Sequence, residues 1–219
     1  MESTRAIRNS RMMLLLIAGI PIIIILAATW LWFFVARGDL DLVDILGTSN
    51  RGSLVQPPRS LMDPSIIGVD GQALNYGSSA GKWALLVPLP GVKCEQVCEN
   101  ALYTTRQIHI ALGKGFNRVA RLLVSNQMPK DLVLDVSALS DNHPMPDSFE
   151  TYLKTEHRGL TLRSISQEQY QSLFREQAAR PDTWYLVDPA GWIMMSYNAD
   201  VNYKDVMADI KFLLKNSSE

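Results

Sequence analysis

The hydrophobic pattern changes character sharply along the chain. Met12 to Val35 is a run of 24 residues without a charge. At about 1.5 Å per residue it would form a helix of about 36 Å, enough to cross a hydrocarbon core near 30 Å. The pattern therefore predicts a single N-terminal transmembrane helix. Trp30, Trp32 and Phe33 fall near its far end, where aromatic rings favour the membrane interface. Over residues 36–65, Gly38, Gly47, Gly52, Pro57, Pro58 and Pro64 interrupt a mostly polar stretch. That composition predicts a tether, with Asp39–Leu46 as one or two amphipathic turns.

From Ile66 to the C-terminus the alternation is that of a globular domain. IIGVDGQAL places a DG turn between two short extended runs, a hairpin signal. Lys82–Leu89 is a continuous apolar run, expected of a strand buried on both faces. Glu95 to about Leu112 has helical spacing, with Val97, Ala101, Ile108 and Leu112 as the apolar stripe. Strand, short helix and short strand are expected at Arg118–Ser125, Asp147–Glu156 and Leu160–Ser166; Asp131–Ser140 is ambiguous. A helix follows to about Ala179. TWYLVDPAGWIMMSY reads as a hairpin about a DPAG turn, and a last helix starts near Asn202. This order predicts an α/β fold, a central mixed sheet with helices on both faces.

Charge fixes the expected orientation. Arg5, Arg8 and Arg11 precede the apolar run, whereas Asp39, Asp41 and Asp44 follow it closely. The positive-inside rule puts residues 1–11 in the cytoplasm, 12–35 in the membrane, and the tether and domain (66–219) outside. Arginines running almost directly into the span favour a bacterial inner membrane, with the domain in the periplasm. A net charge of −1 without a basic cluster excludes nucleic acid as a partner. No phosphate loop, catalytic carboxylate pair or Ser/His/Asp set stands out.

The chemistry centres on the two cysteines, Cys94 and Cys98. Cys94 falls in the turn after the buried strand and Cys98 in the first turn of the next helix. Helix N-terminal amides stabilise a thiolate there; Lys93 acts in the same sense, Glu95 and Glu99 against it. The spacing permits a disulfide, which would constrain little chain entropy across so short a loop. Cys94 is expected to be the more exposed, attacking thiol, with Cys98 resolving. His109, His143 and His157 are the histidines; His143, in a loop beside Met145, is the candidate to join the cysteines on a metal.

GVDGQAL, GKWALLVPL, Lys93-Cys94-Glu95-Gln96-Val97-Cys98 and LVDPAGWI, behind an anchor and tether, resemble the Sco/SenC family. The resemblance covers Ile66 to about Leu214. It implies a thioredoxin-like fold and a role in assembling the copper centre of cytochrome c oxidase. The partner implied is an oxidase subunit or assembly factor with a cysteine pair, besides lipid around the anchor. The family usually has Pro after its second cysteine, where Glu99 stands here. Its copper set is two cysteines and a histidine; Asp182 occupies the matching position of that histidine, and carboxylate suits Cu(I) poorly. Copper is therefore expected to bind weakly, if at all, and no other cofactor is implied. Three functions stay open: a thiol–disulfide factor, a copper carrier with an altered third ligand, and a non-catalytic assembly scaffold.

Overall fold

The computed structural model describes residues 2–36, 50–62, 68 and 81–217, with side chains along only part of the first helix. The chain divides into two compact units, residues 1–49 and 50–219. In the first, helix α1 runs unbroken over Glu2–Ala36. Among the described residues, no helix is long and apolar enough to cross a membrane. The proposed turns at 39–46 and most of the hairpin at 66–74 lie outside the described residues.

The second unit is built on a six-stranded sheet. Its strands are β1 (Ser53–Ser60), β2 (Trp83–Leu89), β4 (Val119–Ser125), β6 (Leu160–Ser164), β7 (Trp184–Val187) and β8 (Trp192–Tyr197). A short strand β3 (Lys93–Cys94) pairs separately and in parallel with β5 (Val133–Leu134). The order across the large sheet is β1-β8-β7-β2-β4-β6. β2, β4 and β6 run parallel, whereas β2–β7, β7–β8 and β8–β1 are antiparallel. The helices are α2 (Gln96–Ala111), α3 (Phe149–Glu156), α4 (Gln167–Leu173) and α5 (Tyr203–Asn216).

All seven residues of β2 are buried. Trp83, Leu85, Val87 and Leu89 enter one core with Leu102 and Ile108 of α2 and Ile210 of α5. Ala84 and Leu86 enter the other core, with Tyr170 and Leu173 of α4. The period-two alternation of a strand thus feeds two apolar layers. The β7–β8 turn forms as predicted. Asp188 accepts from the amides of Ala190 (2.9 Å) and Trp192 (2.8 Å). Gly191 supplies the positive φ of 87° that a side chain would resist.

The N-terminal boundary differs from expectation. Ser53–Ser60, placed in the tether by its prolines, is a strand, and an edge strand among the described residues. Ser53 and Leu54 pair with Ser196 and Met195; the register shifts across Pro57 and Pro58 and resumes at Arg59 and Ser60. Val55 and Leu61 are buried. Asp209 of α5, also buried, accepts from the amides of Arg51 (3.0 Å) and Gly52 (3.0 Å) and from the hydroxyl of Tyr197 (3.1 Å). A chain beginning at Ile66 should therefore be less stable than one beginning at Asn50 by about 3–6 kcal/mol, from the two buried aliphatic side chains alone. Urea unfolding of the two would measure this, and equal midpoints would contradict it.

Candidate functional site: the cysteine pair at the end of β2

β2 ends at Leu89, and Pro90-Gly91 turn the chain. Gly91 takes a φ of 71° and its amide donates to Asn126 Oδ1 at 2.8 Å. The turn delivers β3 to β5, where the Asp135 amide donates to the Cys94 carbonyl at 2.9 Å and the Val133 amide to the Val92 carbonyl at 2.8 Å. α2 begins two residues after Cys94, so Cys98 is its third residue. The two sulfurs form a disulfide, with Cα atoms 5.2 Å apart.

Their exposures reverse the expected order. Cys94 is fully buried beneath the β3–β5 pairing, and Cys98 is half-buried. Cys98 lines a cavity of about 380 Å3 with Val92, Val97, Ala101, Pro181 and Thr183 among its walls. The sulfur within reach of a partner is therefore that of Cys98. Lys93 is engaged elsewhere: its ammonium lies 2.7 Å from Asp135 Oδ2. The hydrogen bond to Asp135 raises its pKa.

The buried face of α2 is rotated from the predicted stripe. Glu99, Leu102, Thr105 and Ile108 are buried, whereas Val97 is 46% exposed. Glu99 is tolerated inside because donors surround it. Its carboxylate accepts from the Ser140 amide (3.0 Å), the Ser140 hydroxyl, Gln96 Nε2 (3.0 Å) and, at 3.5 Å, the Tyr152 hydroxyl. A lone Glu beside a cysteine gives no sequence signal for this burial, because Ser140 and Tyr152 lie 41 and 53 residues away.

The residues considered as third metal ligands lie apart from this cavity. Pro181 and Thr183 line it, but Asp182, between them, lines a different cavity. Arg180 holds the Asp182 carboxylate from both oxygens (3.2 and 3.3 Å), and the Ala199 amide donates to it at 2.9 Å. The hydrogen bond from Arg180 lowers its pKa below the usual carboxylate range. His143 sits with Asp141 and Glu156, its Nδ1 3.0 Å from Glu156 Oε2. The Arg106 guanidinium already donates to Asp141 Oδ2 and Glu156 Oε2, so one guanidinium is shared between the two carboxylates of that cluster. His109 Nε2 lies 3.0 Å from the Phe116 carbonyl and its ring stacks on Phe116. No histidine lines the Cys98 cavity. The donor set does not fit the two-cysteine, one-histidine copper centre.

The chain matches, over residues 83–217, the family described as transmembrane-like, thioredoxin-like, C-terminal domain. It belongs to that family. The fold is thioredoxin-like. Yeast Sco1 resembles it at a TM-score of 0.50 and 15% identity, over 76% of this chain and 97% of that one. Apo Sco1 from Thermus thermophilus gives 0.48 and 19% over 76% and 98%, and a thiol:disulfide interchange protein from Bacteroides gives 0.43 and 12% over 77% and 92%. No curated protein matches the sequence. Within the matched residues of this chain, the cysteine pair sits where β2 gives way to α2.

Behind the site lies a second buried charge. Arg121 of β4 is 3% exposed and His157 is 2% exposed. Arg121 Nη2 donates to the Leu102 carbonyl (2.9 Å) and lies 3.1 Å from His157 Nδ1. Burial, then the charges of Arg121 and Arg106, pull the His157 pKa down to about 3. Its imidazole is thus neutral in the fold and accepts from the guanidinium. An unfolded histidine titrates near 6.5, so between about pH 6.5 and 3 the unfolded chain binds the extra proton. This contribution to stability is complete above pH 6.5 and is lost as pH falls toward 3, at up to about 1.4 kcal/mol per pH unit. Urea unfolding at pH 7.5, 6 and 5 should show the slope, and His157→Gln should flatten it.

Proposed function

We propose that this protein is a membrane-anchored, Sco-like thiol–disulfide exchange factor for cytochrome c oxidase assembly. The observation that carries the reading is the Cys94–Cys98 disulfide, with Cys98 in the wall of an apolar cavity at the end of β2. The anchor is read from 24 uncharged residues at Met12–Val35 within a continuous helix, and the orientation from three arginines before them. The domain then works on the periplasmic side of a bacterial inner membrane, where disulfides persist.

The exchange proceeds in two displacements. A thiolate of the partner attacks Cys98 Sγ; the partner–Cys98 bond forms, the Cys94–Cys98 bond breaks, and Cys94 leaves as a thiolate that takes a proton. The partner's second thiolate then attacks its own sulfur in the mixed disulfide and releases Cys98. The partner's two thiols end as a disulfide and Cys94 and Cys98 as thiols. Run backwards, the same steps reduce a partner's disulfide. The partner that fits this reading is an oxidase subunit or assembly factor with a cysteine pair.

With Cys98 as the accessible sulfur, Cys94→Ser should trap a mixed disulfide through Cys98. Cys98→Ser should trap far less, because Cys94 is closed off. Non-reducing gels of membranes carrying each variant would show it; equal trapping would overturn the assignment of Cys98 as the attacked sulfur, and no trapping by Cys94→Ser while the wild-type bond resists dithiols favours a local staple in a scaffold protein. A reporter fused after Glu219 should be active only if it needs export; activity of a strictly cytoplasmic reporter there would reverse the orientation.

A further inference from the structure

Two cavities flank the first half of α2. Beyond the one that holds Cys98, a second of about 570 Å3 opens between α2, the residues after β8 and the start of α5. Ile108, Trp184 and Val206, all buried, contribute apolar surface to it, and Tyr103 and Tyr203 add aromatic walls. Its size is within the range of small-ligand sites. Thiol exchange as described uses none of these residues.

Val97 and Ala101 line both cavities. Four residues apart on α2, they stand on one helical face and form a ridge between the disulfide and the second cavity. Val97 turns outward from the core on this ridge, in the position where the sequence pattern leads one to expect burial. The carboxylate at the cavity, Asp182, is already satisfied by Arg180 and the Ala199 amide. The cavity therefore offers apolar area and no unanswered charge.

We propose that this second cavity is the specificity pocket of the exchange reaction. It takes a bulky uncharged side chain, aromatic or aliphatic, from the same partner segment whose cysteine meets Cys98. The choice of a cysteine-bearing segment rests on the exchange reading above and on the continuity of the two cavities across the shared ridge. In an extended segment, side chains two residues apart point to the same face about 6.5–7 Å apart. A segment lying across the Val97–Ala101 ridge thus presents its cysteine to one cavity and its anchor, two residues away, to the other.

The test uses the full chain in lipid nanodiscs and short peptides of the form Gly-Cys-Gly-X-Gly, with X as Gly, Ala, Leu, Phe, Asp or Lys. The rate of mixed-disulfide formation should rise with the apolar size of X, Phe exceeding Gly about tenfold or more, as an apolar pocket allows. Asp and Lys should gain nothing. In Thr104→Trp, whose indole would fill the cavity that Thr104 lines, the Phe-to-Gly ratio should fall to one. Equal rates across the series overturn the pocket, as does an advantage that survives Thr104→Trp in a folded variant. Fluorescent peptides with Ser for Cys separate the two readings, because their binding, read by anisotropy, needs no exchange. A disulfide inert to dithiothreitol beside tight binding of the Phe peptide refutes exchange and keeps the pocket; rapid reduction beside no Phe preference does the reverse. A dimer of the full chain that Thr104→Trp abolishes would make a second copy the occupant and overturn the proposal.

Discussion

With all seven residues of Trp83–Leu89 buried and alternate positions in separate cores, β2 can exist only if both faces of the sheet are covered. α2 and α5 cover one face and α4 the other. β4 and β6 run parallel to β2, so each must be reached by a crossover through one of these layers. The end of β2 then opens at the edge of a sheet whose faces are already occupied, and the Pro90-Gly91 turn is the first point where the chain is released to form a site. The cysteines lie there because the strand's apolar alternation ends there.

The site is also held by polar groups in an apolar setting. Glu99 ties the first turn of α2 to Ser140, and Ser140 adjoins Asp141 in the ion cluster with Arg106 and Glu156. The loop after β5 is thus fixed to the same helix that carries Cys98. A buried carboxylate costs free energy unless its donors are in place. Loss of Ser140 or Tyr152 would therefore disturb the cysteine helix, although neither touches sulfur in the cavity described.

What the sequence disclosed follows the range of the interactions concerned. β2 and the DPAG hairpin were readable because their apolar runs and turn residues are local. β1 was hidden because Pro57 and Pro58 resemble a linker and its partner, β8, lies some 140 residues away. The cysteine pair was visible from spacing. Which sulfur faces outward was not, since that is decided by β3 pairing with β5, two strands of two residues each. The same holds for α2: the apolar count favoured Val97, and only the donors at Ser140 and Tyr152 turn Glu99 inward instead.

The prolines of β1 bear on how copies of this chain behave toward each other. Among the described residues β1 is a terminal strand of the large sheet, so its outer side is the place where a strand from another molecule could add. Pro57 and Pro58 have no amide hydrogen to offer such a strand, and the register shift across them bends the row of acceptors. The feature that disguised this strand as a spacer therefore also guards the sheet against growing from one molecule into the next.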